Sequence, residues 1–106
     1  MPTQPAPTTT PELATLLAGL RQELPLLQER YGVGSLGVFG SYVHHRQRPG
    51  SDLDLLVTFD RVPGLLRYLE LENYLSDTLG VKVDLVMKDA LKESIGGRIL
   101  GEVILL

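Results

Sequence analysis

Three aspartates and a Gly-Ser pair are the residues of this chain whose types and spacing suit chemistry. Gly40-Ser41 is followed, after ten residues, by Asp52-Leu53-Asp54, and Asp84 stands further on. Residues i and i+2 of a strand leave from the same face, so Asp52 and Asp54 aim together. Two carboxylates that close raise each other's pKa unless a cation sits between them. Leu53 and Leu55 would bury the opposite face, so the pair cannot splay into solvent. Hard oxygen donors at this spacing suit Mg²⁺, which keeps several waters and takes one or two carboxylates plus substrate phosphates. Asp84 lies in Lys82-Val83-Asp84-Leu85-Val86. If its strand neighbours that of Asp54, it completes a three-carboxylate cluster. Asp52 and Asp54 would then bridge two metal ions. Asp84 would bind the metal at the nucleophile or take its proton. Taken singly, each aspartate reads as an ordinary solvated strand charge; the constellation is what points to a site.

Gly40-Ser41 supplies the other half. Glycine lets a backbone approach a phosphate closely. The Ser41 hydroxyl and the N–H groups of a following helical turn would hold a triphosphate. There is no Gly-Lys-Ser/Thr of the Walker type, so this is not a P-loop. The adjacent His44-His45 reads as a solvent-facing or ligand-touching pair in a polar loop rather than as a metal site.

These residues need elements to position them. Residues 1–10, rich in Pro and Thr, read as a disordered tail. Thr10-Pro11 suits a helix start. Leu13, Leu16, Leu17, Leu20, Leu24 and Leu27 then recur at helical spacing. Pro25 predicts either a kink or two short helices, and Gly32 the C-cap. Ser35–Gly40 is a first strand, Ser41 to about His45 a helical turn, Arg46–Ser51 a loop, and Leu53–Phe59 a second strand. Leu65–Leu79 is the clearest helix, with Tyr68, Leu71, Leu75 and Leu79 on one face and Arg67, Glu70, Asn73 and Asp77 opposite. Gly80 caps it, and Val81–Met87 is a third strand. A last helix from about Asp89 to Leu100 is weakened by Gly96-Gly97, and Val103–Leu106 forms an edge strand or tucks into the core.

The expected fold class is therefore α/β, a small mixed β-sheet flanked by helices. The link between the first two strands is too short for a crossover helix, which favours an antiparallel pair. The 106 residues suit one domain, residues 11–106. Without cysteine there is neither a disulfide framework nor a thiolate metal site. No apolar run is long enough to span a bilayer, and the expected location is cytoplasmic. A net charge of −3 gives no footprint for direct nucleic-acid binding. Leu65, Leu66, Ile104, Leu105 and Leu106 either finish the core or serve a partner surface in a homo- or hetero-oligomer.

Gly40-Ser41, ten residues, Asp52-x-Asp54 and a later strand Asp84 resemble the minimal nucleotidyltransferases of the DNA polymerase β superfamily, over roughly Gly32–Leu100. The resemblance implies a polymerase β palm-like fold and Mg²⁺-dependent transfer of a nucleotide. Asp52, Asp54 and Asp84 would be catalytic metal ligands, with two ions expected, and Gly40 and Ser41 nucleotide-phosphate contacts. Family members of this size commonly pair with a HEPN-domain toxin. The nucleotidyltransferase is then the antitoxin, moving AMP from ATP onto a toxin tyrosine. The family often continues Gly-Ser with one residue and then Ala-Arg-Gly, whereas this chain has Tyr42-Val43-His44-His45-Arg46. His44 holds the arginine position and His45 that of the glycine, leaving Arg46, or Arg48 beyond it, to supply the positive charge to the nucleotide. The alternative is an antitoxin that masks the toxin surface, binding nucleotide or nothing. Transfer to a small molecule such as an aminoglycoside is disfavoured, because those enzymes usually carry an added acceptor domain.

Overall fold

The computed structural model describes residues 12–48, 50–91 and 93–106. The expected tail and the Thr10-Pro11 helix start lie outside the described residues, as does Pro49 of the expected loop. The elements run α1 (Leu13–Tyr31), β1 (Val33–Phe39), β2 (Leu53–Phe59), α2 (Leu65–Leu79) and β3 (Val83–Met87). A 3₁₀ turn (Lys88–Ala90), α3 (Glu93–Glu102) and β4 (Ile104–Leu105) complete the order.

α1 is one helix of 19 residues with Pro25 inside it. Neither of the two short helices allowed by the sequence forms: Leu20 and Leu27, on either side of the proline, are both fully buried. Pro25 sits on the exposed side, as does Arg21, whose carbonyl loses the helical donor that proline lacks and can turn to water. Gly32 ends the helix at φ 72°. Its left-handed geometry and the Arg61 carbonyl, 2.8 Å from where a Cβ would stand, both demand glycine. α2 has the predicted bounds and buries Leu71 and Leu75, with Gly80 as its cap.

Three boundaries differ from expectation. β1 begins two residues earlier, at Val33, where the ladder to β2 carries a bulge between Val33 and Ser35. β3 begins at Val83, two residues later than predicted. The final helix starts at Glu93, behind a separate 3₁₀ turn, and continues through both glycines to Glu102.

The sheet order is β3-β2-β1-β4. β1 is antiparallel to β2 and to β4, while β2 and β3 are parallel, joined by the α2 crossover. Strand alternation gives the sheet two different faces. Leu36, Val38, Leu53, Leu55, Val57, Val83 and Leu85 are buried in one cluster with Leu16, Leu20 and Leu27 of α1 and Leu71 and Leu75 of α2. The opposite face carries Asp54, Asp84, Leu56 and Thr58. Its cover comes from the end of the chain: Val103 packs so tightly on Gly37 that a Cβ there would lie 2.5 Å from it. β4 adds the edge strand, and Leu106 donates its N–H to the Leu36 carbonyl at 3.0 Å. Leu105 is exposed, whereas Leu106 packs on the core. No helix among the described residues is long and apolar enough to cross a membrane.

Candidate active site

Asp54 is the centre of the arrangement. It sits mid-sheet, paired across β1 with Phe39 and across β3 with Asp84. The parallel register therefore sets two carboxyl groups side by side on one face. Burial pushes the Asp54 carboxyl up to about 6, with the charges of Asp84 and then Asp52 adding to the rise. A hydrogen bond between the Asp54 and Asp84 side chains acts in the same direction, so Asp54 holds its proton at mildly acidic pH. Asp84 is exposed at the mouth of the site and Asp52 half-buried. Among the described residues no group of three or more acidic, histidine or cysteine side chains stands ready as a metal cage. Asp54 and Asp84 meet, while Asp52 acts on Asp54 through its charge.

Gly40 fits against this pair. Its φ is 82°, and a Cβ would lie 2.1 Å from Asp54 Oδ2. Any side chain here would displace the carboxylate as well as strain the backbone. The backbone then turns sharply, as predicted for Ser41–His45. Val43 and His44 donate their N–H groups to the Gly40 carbonyl, and Arg46 donates to that of Ser41 at 2.8 Å. Tyr42, 1% exposed, anchors the turn in the core, and burial raises its hydroxyl pKa. His45 occupies the left-handed region at φ 55°. At this position, where the resembling family usually has glycine, the chain keeps the glycine conformation without the glycine.

A cleft of about 390 Å³ opens beside the turn, lined by Phe39, Gly40, Ser41, His44, Arg46, Ile99 and Glu102. Gly40, Ser41 and Arg46 were expected here; Arg48 does not line it. Sequence reasoning missed Glu102, whose carboxylate meets His44 Nε2 at 3.0 Å. No local signal identifies it, because it arrives from the far end of α3. Lys82 and Lys88 are exposed.

A nucleotidyltransferase domain family model matches residues 20–106. The chain belongs to the nucleotidyltransferase family. It is 46% identical over 96 residues to the protein adenylyltransferase MntA of Thermococcus cleftensis, covering 91% of this chain and 94% of that one. An assigned protein adenylyltransferase of Methanocaldococcus jannaschii is 51% identical over 73 residues, 69% of this chain and 74% of its own. A solved structure assigned as a minimal nucleotidyltransferase superposes with a TM-score of 0.78 at 37% identity, covering 92% of this chain and 99% of that one. The MntA–HepT toxin–antitoxin complex shares the fold, with a TM-score of 0.62 at 18% identity over 84% of this chain and 69% of that one. The protein is thus a minimal nucleotidyltransferase, an enzyme of the class that its acidic strand pair suggested.

Proposed function

We propose that this nucleotidyltransferase is an antitoxin that transfers AMP from ATP to a tyrosine hydroxyl of a HEPN-type toxin. The observation that carries the chemistry is the Asp54–Asp84 register pair with Gly40 packed against it. The acceptor class rests on the MntA relative, a protein adenylyltransferase, and on the fold shared with the MntA–HepT complex.

The donor set suits divalent metal. All three groups are hard oxygen ligands, and a cation would offset both the burial of the Asp54 charge and the neighbouring charges of Asp84 and Asp52 that add to its raised pKa. Asp52, Asp54 and Asp84 would hold two Mg²⁺ ions, Asp84 swinging in from its exposed position. When bound, the ions supply positive charge for the in-line transition state. Gly40 admits the phosphates to the backbone, the Ser41 hydroxyl donates to them, and Arg46 adds charge at the rim of the cleft. Asp84, the most accessible carboxylate, would take the proton from the acceptor hydroxyl as its oxygen bonds the α-phosphorus of ATP and the bond to the leaving pyrophosphate breaks.

Labelling of the toxin by radioactive ATP tests the reading. Asp52→Ala together with Asp54→Ala should abolish the label, and unchanged labelling would sink the proposal. A second reading, masking of the toxin surface without catalysis, is favoured by the His44–Glu102 pair, which sets a carboxylate in the phosphate cleft. It predicts no heat of binding with ATP and Mg²⁺, yet full neutralisation of the toxin.

A further inference from the structure

His44, in the turn after β1, and Glu102, at the end of α3, are 58 residues apart in the chain and meet in the cleft that Gly40 and Ser41 open. Their contact is 3.0 Å between Nε2 and Oε2, and the side chains are 40% and 33% exposed. Both facts matter. An exposed pair of this kind contributes at most about 1 kcal/mol to stability, so the fold does not depend on it. Yet Glu102 holds an anionic oxygen on a donor facing the space that phosphates must enter. A carboxylate and a phosphate cannot share that donor, and their like charges oppose each other across the cleft.

We propose that Glu102 is a stand-in for the nucleotide phosphate, gating the cleft: polyphosphate displaces it from His44, which then turns to the incoming anion. This rests on the nucleotidyl-transfer reading and deepens it by assigning a positioning residue, His44, and an intrinsic competitor. The competitor is tied to the fold's edge. Glu102 ends α3 just before β4, whose pairing with β1 spans only Gly37↔Leu105 and Val38↔Ile104. The Glu102 side chain is itself a third exposed and outside the Asp54–Asp84 contact, so it can turn away from His44 while Val103 and β4 stay packed on β1.

Calorimetry with ATP and Mg²⁺, repeated with inorganic tripolyphosphate, tests the gate alongside thermal melting. Glu102→Gln keeps the shape and removes the charge. It should tighten binding of both probes by about fivefold, the scale of one exposed like-charge contact, while leaving Tm unchanged or slightly lower. His44→Ala should weaken both. A purely structural role for the pair would instead lower affinity and Tm together in Glu102→Gln. Equal or weaker binding by Glu102→Gln, with ATP bound by the wild type, overturns the gate alone. No binding by either protein overturns the gate and the nucleotidyl-transfer reading together. Binding gained only in Glu102→Gln is the strongest form of the expected result.

Discussion

The two faces of the four-stranded sheet obey different rules. The face under α1 and α2 is filled by leucine and valine from β1, β2 and β3, all of them below 5% exposure. The other carries two carboxyl groups in adjacent strands, and Val103, between α3 and β4, packs on it at Gly37. On β2 the contrast runs residue by residue, with Leu53 and Leu55 on one side and Asp54 between them on the other. One face stabilises the sheet strongly enough for the other to tolerate a crowded acidic pair. An Asp54 carboxyl driven up to about 6, chiefly by burial, is unfavourable for folding at neutral pH and is typical of places where chemistry is arranged.

Neighbouring substitutions on β2 break the comparison most sharply. Asp54→Asn should lower transfer activity by about a thousandfold or more, the scale of losing a central catalytic group, without lowering Tm. Leu55→Ala, one residue on, should cost about 2–5 kcal/mol of stability by emptying a buried site, measured by urea denaturation. If the two variants lose stability equally, the division of labour between the faces is wrong.

Gly40→Ala should come next. The added methyl overlaps Asp54 Oδ2, and the backbone holds φ 82°. A loss of about 1–3 kcal/mol is expected from strain alone, together with activity falling toward that of Asp54→Asn. Full activity in a folded Gly40→Ala protein would disconnect the turn from the carboxylate pair.

Acidity gives a subtler measurement. Asp54 binds its proton more tightly folded than unfolded, so the folded state gains from protonation. Metal-free stability should therefore fall as pH rises from about 4, the ordinary carboxylate value, through about 6, and level off above that. Affinity for Mg²⁺ should rise over the upper part of the same window as the proton leaves. Asp54→Asn should flatten the stability profile, and a slope that survives the substitution would place the titration elsewhere. The smallest effect belongs to His45→Gly. Relief of a left-handed backbone at φ 55° should exceed the entropy that glycine adds to the unfolded chain. A gain of about 0.5 kcal/mol is expected, read as a small rise in Tm.

Much of this was legible in the sequence, for reasons that differ by element. β2 and α2 were read to the residue because their alternation and their leucine stripe coincide with the burial each performs. The antiparallel turn between β1 and β2 followed from chain length alone. The parallel pairing that brings Asp84 to Asp54 was only a condition, since no local pattern names a strand's neighbour. The 3₁₀ turn before α3 was hidden because Lys88-Asp89-Ala90 is compatible with an ordinary helix start. The unbroken α1 shows burial of Leu20 and Leu27 outweighing the proline between them. Glu102 was invisible because its role depends on where α3 ends in space. Leu65 and Leu66 remain exposed, at 73% and 84%, so the core is complete without them.

The parallel pairing of β2 with β3 also sets a schedule. Gly40, Ser41, Asp52 and Asp54 are all synthesised before α2, but the partner that shares a proton with Asp54 follows it. A chain still on the ribosome with β3 in the exit tunnel has the turn and half of the acidic pair, and no neighbour to crowd it. The acidic pair on this sheet is thus complete only when β3 docks at its edge. A ribosome-bound chain would lack the full acidic pair until it could also hold its own shape.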